Sequence, residues 1–337
     1  MANRTKVGVL HGGGYVGMWM IELILRHPKA ELTVVTSRSG GGQPLHSVHP
    51  MLFGKTHLNF TAPEDANLHE CEAVFITAEH KQAVYVVQDL LNSGYEGKII
   101  DLSADFRFND ASLSPRWFGY EHPNPALLNQ FVYGLAEVNG AAIQSTHYVA
   151  NPGCFATALN LAMYPISKHL PGTHLHITAI TGASGSGNKA SVGTHFPNRS
   201  GNMRTYKVFN HQHQPELDMV LGSDISYSFV PSSGPWTYGI WATLQFRSEV
   251  TKEALAKWYH EAYAGFDCIR IWDQVPELLP VVGTPFCDLG WTVRDGNVVI
   301  GVAIDNLWKG AASQAVQNFN LMMGWPDALG LLPNVKD

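Results

Sequence analysis

The opening of the chain constrains its fold most. A short apolar run, residues 6–10, enters His11-Gly12-Gly13-Gly14-Tyr15-Val16-Gly17, and residues 18–26 then carry the apolar spacing of a helix. Residues 31–36 form a second β-rich run, so the start reads as a βαβ unit, which commits this part to a parallel sheet with right-handed crossovers. Residues 73–77 and 98–101 are further buried-strand candidates, separated by a helical stretch, 82–93, that stops at Gly94. This alternation over the first 150 residues predicts a doubly wound α/β domain.

Gly12-x-Gly14-x-x-Gly17 on its own serves ordinary tight turns as well as cofactors. Between a strand and a helix, it removes the side chains that would block a pyrophosphate and presents helix N–H groups to it. Gly12, Gly14, Tyr15, Val16 and Gly17 are therefore candidate cofactor-binding residues. The acidic residue expected roughly 20 positions on, which would hold a ribose 2′-hydroxyl, is replaced by Ser37-Arg38-Ser39. A cation flanked by hydroxyls suits a 2′-phosphate, so the expected cofactor is NADP(H) rather than NAD; the competing reading is a solvated turn.

After Cys154 the rhythm changes. Residues 174–181, 226–231, 236–247 and 297–304 are long β-type runs, with helices expected at 155–167, 251–264 and 310–323. Long strands with few intervening helices predict an α+β domain with a mixed or antiparallel sheet covered by helices on one face. The most irregular stretch, 182–205, is rich in Gly, Ser and Asn, and a loop of that length is usually functional or mobile. Two domains are what 337 residues would suggest on length alone.

Composition narrows the function classes. A net charge of −6, from 22 Lys+Arg against 28 Asp+Glu, offers no basic surplus for a phosphate backbone, so nucleic acid is not an expected partner. The four cysteines, Cys71, Cys154, Cys268 and Cys287, show no CxxC spacing, which points to free thiols in a reducing compartment. No apolar run approaches the ~20 residues a bilayer requires, and the interrupted N-terminal stretch does not read as a targeting segment. A cytoplasmic protein without membrane contact is the expectation. The 16 histidines stand out and need explaining.

The chemistry centres on Asn151-Pro152-Gly153-Cys154, which precedes an expected helix. Pro and Gly make a tight turn that places the thiol at a helix N-terminus, where the dipole favours thiolate and the N–H groups can hold an oxyanion. Cys71, Cys268 and Cys287 lack this context and read as buried structural residues. In His211-Gln212-His213-Gln214-Pro215-Glu216, an extended segment would point both imidazoles to one side, yet no third ligand accompanies them, so no metal is expected. One histidine acting as acid/base beside the cysteine, with the other structural, is the better reading. His174-Leu175-His176, in an apolar strand, reads as packing. Asp101-Leu102-Ser103-Ala104-Asp105-Phe106-Arg107 follows a parallel strand, where α/β sheets bind ligands, and Arg107 is either an anion clamp or part of a structural ion-pair turn. Gly182-Ala183-Ser184-Gly185-Ser186-Gly187 lacks the GxSxG elbow of a serine hydrolase and reads as a flexible loop approaching substrate.

Taken together, these stretches closely resemble the N-acetyl-γ-glutamyl-phosphate reductase family, the arginine-biosynthesis branch of the semialdehyde dehydrogenase group. The likeness runs nearly end to end and includes Gly14-Tyr15-Val16-Gly17, Asp101 to Arg107, Tyr133-Gly134-Leu135-Ala136-Glu137, Asn151 to Cys154, Ser184 to Gly187, Tyr206 with His211 to Glu216, and Asp305-Asn306-Leu307-Trp308-Lys309-Gly310-Ala311-Ala312. Any one of these is weak; the set is specific.

The resemblance implies a Rossmann NADP-binding domain (1–153), a catalytic and oligomerisation domain of glyceraldehyde-3-phosphate dehydrogenase type with a mixed, mostly antiparallel sheet (154–308), and a C-terminal helix (309–337) returning to the first domain. It implies an acyl-phosphate substrate and a homo-oligomer, dimer or tetramer. It carries over Cys154 as nucleophile and His211 as acid/base, Asn306 at the cofactor, and Arg107, Ser184, Tyr206 and Glu216 at the substrate. The chain departs from the family at His11, where glycine is usual, and at Asn188 before Lys189, where arginine is usual. The remaining alternatives are a reductase of aspartyl phosphate or of a carrier-linked aminoadipyl phosphate, a Cys-His hydrolase, and an NADPH-sensing protein.

Overall fold

A computed structural model describes residues 4–222 and 225–335. The chain forms two compact units: residues up to Pro152 join those from Ala311 onward, and Gly153–Gly310 makes the second.

In the first unit, six strands, β1 (Thr5–Leu10), β2 (Ala30–Val35), β3 (Ala73–Ile76), β4 (Lys98–Asp101), β5 (Val132–Tyr133) and β6 (Tyr148–Ala150), line up in the order β2-β1-β3-β4-β6-β5. Every pairing is parallel. The chain leaves β1 toward one edge through β2 and returns on its other side through β3, so the order reverses at β1, the place where open α/β sheets bind ligands. β3 is buried at all four positions, and Val84, Val87 and Leu90 of the helix Ala83–Asn92 pack with Val74, Ile76 and Leu10 to form the core. β5 and β6 are too short to carry a periodic signal and fall outside the strands expected from sequence.

The helix Ser313–Met322 belongs to this unit, and all ten of its residues are buried although half are Ser, Gln or Asn. Its amides meet specific acceptors. Gln314 Nε2 and Asn318 Nδ2 donate to the Gly134 carbonyl at 3.1 and 2.8 Å, and Asn318 also reaches Asn151 Oδ1 at 3.0 Å. Asn151 Nδ2 in turn donates to the Ala311 carbonyl at 3.2 Å. A buried amide left unpaired would cost about 1–3 kcal/mol, so this polar helix fits only where those carbonyls are. It thereby holds the residue three positions before Cys154.

The second unit is a seven-stranded sheet with β7 (His174–Thr181), β8 (Arg204–Thr205), β9 (Ser226–Ser233), β10 (Ile240–Arg247), β11 (Ile269–Trp272), β12 (Cys287–Arg294) and β13 (Asn297–Ile304), in the order β11-β12-β13-β10-β7-β9-β8. β11 with β12 and β7 with β9 are parallel, and the other four pairings are antiparallel. The helices Cys154–Ser167 and Lys252–Ala262 pack on the sheet, burying Leu159, Ile177, Leu244, Ile300 and Val302. β10 starts later than the run 236–247 because Gly239, at φ +102°, turns the chain before it.

One expectation is overturned here. His174 and His176 do not pack in the core: the strand alternation buries Leu175 and Ile177 and leaves both histidines exposed on the opposite face. His174 bonds the Ser226 and Ser228 hydroxyls on the neighbouring strand, both at 2.8 Å. Among the described residues, no helix is long and apolar enough to cross a membrane.

Candidate functional site

The candidate residues fall into two sets, one in each unit. In the first, the glycine turn follows β1 and opens the helix Tyr15–Arg26, whose N-cap is Gly14 and whose first turn has neither a side-chain cap nor an acidic residue. Its N–H groups are thus offered to an outside acceptor. Each glycine has its own reason. A Cβ on Gly17 would meet the Gly12 carbonyl oxygen at 2.5 Å, so glycine lets the helix lie on the turn, whereas a Cβ on Gly14 would meet nothing within 4 Å and would project into open space above the helix start. Closely packed and open glycines at these positions are what a pyrophosphate cradle requires, so the residues fit a dinucleotide.

The turn is anchored by groups that the sequence did not single out. His49 Nε2 donates to the Gly12 carbonyl at 2.7 Å, and burial holds this imidazole below the usual histidine range, which keeps it neutral. Gly12 N donates to the Thr36 carbonyl at 2.8 Å. Nothing in the local pattern at His49 announces this contact, because it is made across 37 residues of chain. Ser37, Arg38 and Ser39 divide their roles. Ser37 is buried and its hydroxyl accepts from Gly40 N at 3.2 Å, while Arg38 and Ser39 are exposed, with Arg38 reaching Gln82 Oε1 at 3.3 Å. Tyr15 is exposed and Val16 half-buried at the helix start.

Arg107 is buried. Its Nε donates to the Asn151 carbonyl at 2.9 Å and a terminal nitrogen to the Leu102 carbonyl at 3.2 Å. These bonds tie the loop after β4 to the start of the Asn151-Pro152 turn. In the same loop Asp101 is fully buried, and burial together with the nearby Asp105 pushes its carboxyl up to about 7.

In the second unit, Cys154 is half-buried and begins the helix Cys154–Ser167, with Gly153 as an extended N-cap at φ −72° and ψ 149°. The other three cysteines are buried. No side chain caps the first-turn N–H groups of this helix, whose first residue carries the thiol. Two contacts fix this corner. Gly153 N donates to Oε2 of the fully buried Glu216 at 2.9 Å, and the His213 ring lies against Gly153 so closely that a Cβ there would stand 2.4 Å from Nε2. On the other side Gly310 abuts Cys154, where a Cβ would stand 2.8 Å from the cysteine Cβ. Gly310 is placed by a π-helical turn, Trp308–Ala312, whose entry Asp305 caps by accepting from Leu307 N and Trp308 N at 2.8 and 3.0 Å.

The histidine segment is not extended. Backbone amides from 214 onward close a helix, Gln214–Leu221, that begins at His213 in the helical region and packs on the cysteine helix. The turn brings the two imidazoles edge to face, 4.7 Å between centroids. His211 is enclosed by Phe155, Phe229 and Tyr206, with ring centroids 5.3–5.6 Å away, and burial, reinforced by His213, pushes its pKa down to about 2. It is therefore neutral. Its Nδ1 accepts from His213 N at 3.2 Å, which places the ring proton on Nε2 and makes that nitrogen a hydrogen-bond donor. Tyr206 is half-buried, and burial raises its phenol above the usual range.

Ser184 and Asn306 form a pair of their own. Asn306 Nδ2 donates to the Ser184 hydroxyl at 3.0 Å while its Oδ1 accepts from Gly239 N at 2.7 Å. The stretch 182–205 contains short turns, Ala183–Ser186 and Phe196–Arg199, and the edge strand β8.

Comparison with known proteins agrees with this layout. Residues 6–146 match the NAD binding domain of semialdehyde dehydrogenases, and residues 154–306 match their dimerisation domain. Among curated proteins, the N-acetyl-gamma-glutamyl-phosphate reductase of Laribacter hongkongensis is 37% identical over 338 residues, covering 97% of each chain. The protein of the same name from Archaeoglobus fulgidus is 38% identical over 331 residues, covering 97% of this chain and 98% of its own. Among solved structures, aspartate semialdehyde dehydrogenase II from Vibrio cholerae superposes with a TM-score of 0.73 at 15% identity, covering 96% of this chain and 99% of that one.

Proposed function

From the premise that this chain belongs to the semialdehyde dehydrogenase family, and within it to the N-acetyl-gamma-glutamyl-phosphate reductases, we infer that it reduces N-acetyl-L-glutamyl 5-phosphate to N-acetyl-L-glutamate 5-semialdehyde and phosphate, the reductive step of arginine biosynthesis. The observation that supports this best is Cys154 at an uncapped helix N-terminus, with Glu216 and His213 fixing the preceding residue.

The thiolate of Cys154 attacks the acyl carbon, the carbon–oxygen bond to phosphate breaks, and inorganic phosphate leaves behind a thioester. The N–H groups of the first helical turn face the oxyanion formed on the way. Bound NADPH supplies the hydride that reduces this thioester. Hydride addition leaves an alkoxide on the former thioester carbon, to which the His211 Nε2–H donates a hydrogen bond; the carbon–sulfur bond of this tetrahedral alkoxide then breaks, releasing semialdehyde and restoring the thiolate, and the one proton consumed overall ends on phosphate. Arg107, Ser184, Tyr206 and Glu216 are the candidates for holding substrate in place, Glu216 through Gly153. Gly12, Gly14, Tyr15, Val16, Gly17, Ser37, Arg38, Ser39 and Asn306 are the candidates for holding NADP(H). A homo-oligomer, dimer or tetramer, built through the dimerisation domain at 154–306, and a cytoplasmic setting complete the reading.

The reaction run backward tests it. With NADP⁺ and phosphate supplied, N-acetylglutamate semialdehyde should produce NADPH absorbance well above that from aspartate semialdehyde; a preference for the aspartate compound would replace the substrate assigned here. The two imidazoles are separated by kinetics. His211→Ala is expected to lower kcat by about 10²–10³-fold, and His213→Ala by clearly less, because only His211 meets the reacting oxygen. The opposite ranking would move the role to His213.

A further inference from the structure

Within the first unit, a cavity of about 270 Å³ opens at the C-terminal ends of β1 and β2, and His11, Thr36, Arg38, His69, Val86 and Asp89 are among the residues lining it. His11 stands there at φ +60°, in the left-handed region that glycine occupies without cost. Its backbone is held at both ends, N–H to Thr36 Oγ1 at 2.9 Å and carbonyl to Thr77 Oγ1 at 3.1 Å. Glycine would satisfy every one of these demands, so the turn itself does not need the imidazole. The ring adds only what it brings to the cavity, a titratable nitrogen pair in the same lining as the Arg38 guanidinium.

We propose that His11 and Arg38 together cradle the 2′-phosphate of NADP(H), with His11 contributing when protonated, so that selection of the phosphorylated cofactor is pH-dependent. This rests on the cofactor reading above. The titratable and charged groups lining the cavity besides His11 are Arg38, His69 and Asp89. The Asp89 carboxylate works against an anion there, which gives a second cation beside Arg38 a purpose. Burial and the Arg38 charge hold His11 below the usual histidine range in the free protein. A phosphate dianion opposes the Arg38 contribution, so the ring takes up a proton as the phosphate seats, and affinity falls as pH rises.

The probes are adenosine 2′,5′-bisphosphate and 5′-AMP, titrated calorimetrically into the full chain at about pH 6 and about pH 8.5, in two buffers of different ionisation heat. The bisphosphate should bind about tenfold more tightly at the lower pH, with net proton uptake. The 2′-phosphate itself titrates in this range, so the deciding quantity is the difference between wild type and His11→Gly. His11→Gly should lose most of the low-pH gain and reduce the proton uptake, with 5′-AMP unchanged, whereas Arg38→Ala should weaken the bisphosphate at both pH values. An unchanged pH profile and proton uptake in His11→Gly overturns the proposal and leaves the cofactor assignment standing. Failure of wild type to favour the bisphosphate over 5′-AMP at either pH overturns the NADP assignment itself.

Discussion

Cys154→Ser is expected to lower turnover by at least about 10⁴-fold while leaving NADPH binding unchanged. The hydroxyl keeps nearly the same shape, so the contacts of Gly153 with Glu216 and His213 and the packing of Gly310 should persist. What is lost is the sulfur nucleophile and, after hydride transfer, the sulfur leaving group whose departure releases the aldehyde. The substitution leaves Gly12 to Gly17 and Arg38, the residues assigned to the cofactor phosphates, unaltered, so a cofactor titration checks that the variant still binds NADPH. Iodoacetamide supplies the complementary measurement. Cys154 is the half-buried thiol, with Cys71, Cys268 and Cys287 buried, so labelling of the native protein should be confined to one site and vanish in the serine variant. Normal turnover in Cys154→Ser would end the covalent scheme and return a non-covalent hydride transfer to consideration.

How much of this was legible beforehand depends on whether a feature is local. The glycine turn and the Asn151-Pro152-Gly153-Cys154 turn were readable because each is a strand or turn running directly into a helix, and backbone demands within six or seven residues specify them. β4, β7 and β13 fall where the apolar pattern puts them. The strand β12 was not among the runs expected, although Cys287, Leu289, Trp291 and Val293 alternate with polar or small residues as a strand does; Gly290 within it is there for a neighbour, since a Cβ would stand 2.0 Å from the Gln274 carbonyl oxygen. The helix Ser313–Met322 lies within the expected run 310–323, but its complete burial could not be read there: its amides are satisfied by the Gly134, Asp327 and Leu329 carbonyls, by Asn151 Oδ1 and by the Glu137 and Asp327 carboxylates, all distant in the chain from the residues they meet or beyond the helix end. The histidine pair was found from the segment His211 to Glu216, but an extended segment was expected there, whereas Pro215 lies in the first turn of a helix and the chain turns instead. Contacts made across tens of residues, such as His49 to Gly12 and Glu216 to Gly153, leave no periodic trace.

Gly153→Ala carries the second large effect and tests whether that geometry matters. The backbone offers no objection, since φ −72° and ψ 149° suit alanine as well as glycine. The obstacle is the His213 ring, whose Nε2, Cδ2 and Cε1 would lie 2.4, 2.6 and 2.6 Å from the new methyl group, and all three of the nearest atoms belong to that one side chain. The ring must move. His213 N also holds the Nδ1 of His211, so displacement is passed to the imidazole assigned to the reacting oxygen. A shift of about 1 Å in such a group costs on the order of 10²-fold in rate, so kcat should fall by about that factor, while overpacking costs about 1–3 kcal/mol of stability. The two contributions separate in a double-mutant cycle. In a His213→Ala background the clash is gone, and Gly153→Ala should then be nearly neutral for both kcat and unfolding midpoint. If the two substitutions instead add, the loss in Gly153→Ala arises elsewhere, and the contact between Gly153 and His213 does not organise the corner that holds Cys154.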